Sequence, residues 1–119
     1  AYRQFFGPLQ AVFDSPEAAI VLMQEVADDP NRAWPSRYSM IATMAAYFGE
    51  PEIAFDILLR EVRHTPIRFG TLWFPLMSDV RRLPEFKQFV RDVRLVDYWN
   101  AYGWSDYCRP VGPDDFVCE

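Results

Sequence analysis

Two segments of this chain share one frame. In the first, Ala18 is followed by Leu22 and then Pro30. In the second, Ala54 is followed by Leu58 and then Pro66, at an offset of 36 residues. Self-similarity at a spacing of roughly 20–50 residues marks an array of supersecondary units. A unit of that kind cannot bury its apolar face alone and stacks on a neighbour, so the frame constrains the fold more than any single segment does.

Local patterns fill the frame with helices. Ser15 suits an N-cap and Pro16 a first helical position, with Glu17 at the positive end of the dipole. Ala18, Ala19, Leu22, Met23 and Val26 then make an apolar stripe, which predicts a helix over 16–28. After a connector at 31–35, a second helix is expected over 36–48. Tyr38, Ile41, Ala42 and Ala45 lie on one face and Gly49 is the C-cap. Pro51 opens a third, with Ile53, Ala54, Ile57, Leu58 and Val62 apolar and Pro66 as its stop.

The rest is less regular. Gly7 and Pro8 predict a short or broken helix at the start, and Pro75 leaves 71–80 ambiguous. Phe86, Phe89, Val90 and Val93 follow the helical period over 84–94. A short helix over 95–103 should end at Gly103. The tail from Trp104 reads as ordered but irregular, with turn chemistry at Pro110, Gly112 and Pro113. The expectation is an all-α chain of five or six helices and no strand. Its short connections make neighbouring helices antiparallel.

The second segment resembles a tetratricopeptide repeat, whose length is about 34 residues. Tyr38, Ile41 and Ala42 match the large–large–small trio of its first helix, and Gly49 the turn glycine. Ala54 and Leu58 match its second helix, and Pro66 its closing proline. Glu61 departs from the pattern where a small residue is usual, and Ala45 where an aromatic is usual. The first segment matches only in its second helix. The last third, through Leu72-Trp73, Arg81 to Phe86, Leu95 to Trp99 and Trp104 to Cys108, resembles the C-terminal cap of bacterial multi-domain regulators with tetratricopeptide tails. Class III adenylate cyclase-like proteins and winged-helix transcriptional regulators are among them. The resemblance implies one helical domain over 1–119: a degenerate repeat over 1–30, the best repeat over 36–66 and a divergent cap over 71–119. It also implies stacked antiparallel hairpins in a superhelix. The chain opens at Ala1 and not Met, as expected of a piece of a longer protein.

Composition narrows the function classes. Of the 119 residues 50% are hydrophobic, ample for a core, and the net charge is −5. That charge opposes binding to nucleic acid or an anionic membrane surface, both of which need clustered Lys and Arg. No apolar run reaches the roughly 18 residues of a membrane span. The sequence carries no glycine-rich phosphate loop, nucleophile elbow, HExxH or CxxC pattern. No catalytic, cofactor-binding or metal-ligating set is therefore assigned.

The candidate sites are few. In tetratricopeptide arrays the first helix of each repeat lines the concave face, which implies a peptide groove at Ser39, Met40, Thr43, Ala46 and Tyr47. The same residues could instead contact the chain's own N-terminal segment or cap. Cys108 and Cys118 form a disulfide in an exporting parent, or stay thiols in a reducing cytoplasm. His64 suits a helix end, and Asp106, Asp114 and Asp115 a solvated turn, more than they suit catalysis or a cation. Tyr98, Trp99, Tyr102, Trp104 and Tyr107 either pack together or stack a ligand ring.

The expected function is a non-catalytic protein-interaction or self-association module with no cofactor, in the C-terminal part of a cytoplasmic bacterial regulator. The compartment is periplasmic if a membrane segment lies upstream. The alternatives are a structural cap of a longer solenoid and a ligand-sensing domain of an attached cyclase or transcription factor. A closed pocket with convergent polar groups would favour the last.

Overall fold

The computed structural model describes residues 7, 8, 10, 14–29, 37–64 and 70–119. The chain divides into two compact units, residues 1–68 and 69–119. It is mostly helical, with a small two-stranded sheet.

The first unit holds three helices among its described residues: α1 (Pro16–Asp28), α2 (Arg37–Tyr47) and α3 (Pro51–His64). α1 and α3 begin at the expected prolines and α2 falls within its expected span. Ser15 occupies the N-cap position of α1, but its side chain makes no capping bond, and its carbonyl accepts the Ala19 N–H at 3.0 Å. α2 ends as Gly49 predicts. With φ at +82°, Gly49 donates to the Ala46 carbonyl and Glu50 to that of Ala45, both at 3.0 Å. This paired closure satisfies two terminal carbonyls and turns the chain straight into α3. The α2–α3 hairpin is the most extensive helix packing in the unit, and α1 also packs on α2.

The buried stripes are turned slightly from the expected ones. In α1 they centre on Ala19, Met23, Val26 and Ala27, leaving Ala18 and Leu22 half-buried. In α2, Ile41, Ala42 and Ala45 are fully buried, and their small size lets the helices approach closely. In α3, Ala54, Phe55, Ile57 and Leu58 are buried while Ile53 and Val62 are half-buried. Gly7, Pro8 and Gln10 are helical, so the Gly-Pro pair does not interrupt helix at its own position. The remaining expectations for 1–13, the 31–35 connector, Pro30, Pro66 and the His64 ring lie outside the described residues.

The second unit is built from shorter pieces. Pro75 splits 71–80 into two 3-10 turns, Gly70–Trp73 and Pro75–Met77, which run on into α4 (Ser78–Arg81). α5 (Pro84–Asp92) and α6 (Leu95–Tyr102) follow. α5 is shorter than its apolar pattern because Arg94 takes a left-handed φ of +62°. Val93 therefore falls off the helical face and is exposed.

The tail corrects the expectation of an irregular, strand-free end. β1 (Cys108–Val111) and β2 (Asp115–Cys118) pair antiparallel, with Cys108 opposite Cys118 and Pro110 opposite Phe116. The loop is Gly112 to Asp114, and Gly112 supplies a φ of +70° that other residues rarely adopt. Pro110 lacks an N–H, and a two-stranded ribbon has open edges that tolerate this. In β2 the buried Phe116 and Cys118 alternate with exposed Asp115 and half-buried Val117.

Candidate functional site

Two surfaces stand out, one in each unit. The first is the face of α2 opposite its buried stripe. Successive residues on a helix turn by about 100°, so Ser39, Met40, Thr43, Ala46 and Tyr47 fall on one side. Four of them are half-buried, and Tyr47 is 62% exposed. Ser39 is not free on that face. Its hydroxyl donates to the Glu61 carboxylate of α3, and its carbonyl accepts the Thr43 hydroxyl at 2.7 Å. Glu61 is only 4% exposed. Glu61, one of the two departures from the repeat pattern, is thus a buried carboxylate, and Ser39 helps to satisfy it. Met40, Thr43, Ala46 and Tyr47 make up the rest of that side, and the Tyr47 ring meets that of Phe48 at 5.4 Å.

An open groove of about 490 Å³ also lies between α1 and α3. Gln24, Asp28, Glu52, Asp56 and Arg60 give it a polar lining. Arg60 bridges it, bonded to Asp28 on α1 and, at 3.0 Å, to Asp56 on its own helix. The bridge occupies the groove's one cation with two of its carboxylates.

The second surface rests on how the second unit is held together. Arg81 is 3% exposed, yet its guanidinium has four partners. Nη1 donates to the carbonyls of Leu72 and Phe74 at 2.7 and 2.8 Å, and Nε donates to the main-chain oxygen of Glu119. The ring of Tyr107 lies 4.2 Å from the guanidinium carbon. Burial pulls the Arg81 pKa below its ordinary value, and Tyr107 works in the opposite direction. The group stays a cation because carbonyl dipoles and a ring face replace its water.

The hairpin is fixed at three further points. Cys108 and Cys118 are joined by a disulfide. Phe116 enters a ring cluster with Trp99 at 6.1 Å and Trp104 at 5.9 Å, and Trp99 in turn meets Trp73 at 6.1 Å. Asp115 accepts from Lys87 and Arg91 of α5, each at 3.0 Å. The Lys87 ammonium, then the Phe116 backbone N–H and Arg91, hold the Asp115 carboxyl below its ordinary value. Asp115 is therefore an ion-pair partner of two cations. No group of three His, Cys, Asp or Glu side chains suited to a metal occurs among the described residues.

An open aromatic groove of about 500 Å³ lies on the second unit. Trp73, Tyr98, Trp99, Trp104 and Tyr107 line it, with Leu95, Ser105 and Asp106. Trp99 is buried, as packing requires, but Tyr98 is 58% exposed and stacks with Tyr102 at 4.9 Å. The Ser105 hydroxyl is buried and has no hydrogen-bond partner among the described residues. Ser105 and Asp106 carry no motif, and their place in the groove follows from the turn between α6 and β1. The available sequence signal was the density of rings around them.

No described helix is long and apolar enough to cross a membrane. No protein-family model, curated protein or solved structure matches the chain.

Proposed function

We propose that this chain is a non-catalytic interaction module of tetratricopeptide type, belonging to the C-terminal part of a larger bacterial regulatory protein. Its contact surface is the outward strip of α2, and its partner is a protein or peptide, in the first instance a second copy. The observation that carries this reading is the two-sidedness of α2. Its Ile41–Ala42–Ala45 face is fully buried, while Met40, Thr43, Ala46 and the exposed Tyr47 face away from that stripe. Met adapts its shape to a contact, and Tyr offers an apolar body with a polar tip. The antiparallel α2–α3 hairpin and its Gly49 closure support the repeat assignment.

The disulfide favours an oxidising compartment over the cytoplasm, because cytosolic thiols are kept reduced. On this reading the parent exports the segment to the periplasm.

Light scattering after size exclusion tests the proposal. The expected mass rises above the 14.0 kDa monomer with concentration. Tyr47→Ser should then weaken association about tenfold, as removal of an interface aromatic does. A constant monomer mass at every concentration would reject self-association.

A further inference from the structure

The aromatic groove of the second unit carries an inference independent of the α2 strip. We propose that Trp73, Tyr98, Trp104 and Asp106 bind a small quaternary-ammonium compound.

Ring faces carry negative charge density and attract cations, most strongly those that shed water easily. A methylated ammonium sheds water more easily than a primary one, because it has no N–H to hydrogen-bond. Half-buried Trp73 and Trp104 and exposed Tyr98 line the groove, and buried Trp99 packs beneath them, 6.1 Å from Trp73 and 5.2 Å from Trp104. The groove, of about 500 Å³, is open to one side, so the rings would cover one side of a small ligand.

Charge decides between ligand classes. Asp106 is exposed, lines the groove and makes no ion pair among the described residues. Asp79, Asp97 and Asp115 of the same unit are each paired with Arg or Lys. The carboxylate at the groove is thus available to a ligand. It repels an anion and attracts a cation, and the net charge of −5 acts in the same sense. A neutral sugar would need several directed hydrogen bonds, and beside the rings the groove offers chiefly the Asp106 carboxylate.

Choline chloride is the probe, titrated into the whole chain and followed by tryptophan fluorescence. Sodium chloride at equal ionic strength is the control, and glucose the neutral competitor. The expected result is saturation by choline alone. Asp106→Asn and Tyr98→Ala should each weaken binding about fivefold. Both side chains are exposed, and an unchanged near-ultraviolet circular dichroism spectrum verifies that the variants fold. A response no different from sodium chloride would overturn the proposal. So would choline binding indifferent to Asp106→Asn, or saturation by glucose in place of choline.

Discussion

The two units of this chain are stabilised by different means. In the first, helices of 13, 11 and 14 residues bury one stripe each, and the next turn repeats what the last one did. In the second, α4, α5 and α6 have 4, 9 and 8 residues. Isolated helices shorter than about 12 residues are marginal in water. That unit relies on point contacts between residues far apart in sequence: Arg81 to Glu119, Cys108 to Cys118, and Asp115 to Lys87 and Arg91. Periodic burial spreads stability over many small contributions. Point contacts concentrate it in a few side chains, so single substitutions should be more damaging in the second unit.

The largest effect is expected at Arg81. Arg81→Ala strips the carbonyls of Leu72, Phe74 and Glu119 of a charged donor. Charge-assisted hydrogen bonds contribute about 1.5–3 kcal/mol each, so the loss should reach about 3 kcal/mol or more. Urea unfolding followed by near-ultraviolet circular dichroism reads this loss, since Trp73, Trp99 and Trp104 all belong to this unit. A cost below about 1 kcal/mol, typical of a surface change, would mean that the unit does not depend on its buried cation.

The paired change Cys108→Ser and Cys118→Ser comes next. For a loop of this size the chain-entropy relation gives about 2.5–3 kcal/mol. The measurement is the denaturation midpoint of the pair against the oxidised chain. Equal midpoints would remove the disulfide from the account.

In the first unit the sharpest contact is Ser39 to Glu61. Ser39→Ala should cost about 1–2 kcal/mol, because a buried carboxylate loses a donor. On a Glu61→Ala background the same change should cost almost nothing. A double-mutant cycle with no coupling would show that Glu61 is satisfied elsewhere.

The smallest effect is at Asp115, which is exposed. Its carboxyl titrates below the ordinary value of 3.8, so its contribution is present above that value and fades as pH falls through the folded-state pKa. Thermal melts should show wild type and Asp115→Asn differing by a constant amount above about pH 5 and converging in stronger acid. A difference that grows on acidification would contradict the ion-pair assignment.

The same contrast explains what could be read in advance. α1, α2 and α3 were legible because prolines, a glycine and a 3.6-residue period mark them locally. The tetratricopeptide resemblance singled out Met40, Thr43, Ala46 and Tyr47 of α2, which are half-buried or exposed. The bond from Ser39 to Glu61 was not legible, because Glu61 lies on another helix. The hairpin was missed although Cys108 and Cys118 lie equally far from Pro113, which is the spacing of a symmetric β-ribbon. Four-residue strands carry too little alternation to stand out against turn residues. Nothing local marks Arg81 as buried, since its acceptors are Leu72 in the first 3-10 turn, Phe74 between the two turns and the distant Glu119. The groove at Ser105 and Asp106 exists only once those long-range contacts fold the tail back.

Amide hydrogen exchange over residues 70–119, oxidised and after reduction with a thiol, tests most directly whether point contacts hold the second unit. The account predicts that reduction lowers protection in α5 and α6 together with the hairpin, because Phe116 and Tyr107 loosen from the ring cluster and from Arg81. Loss confined to residues 108–119, with α5 and α6 as protected as before, would contradict it.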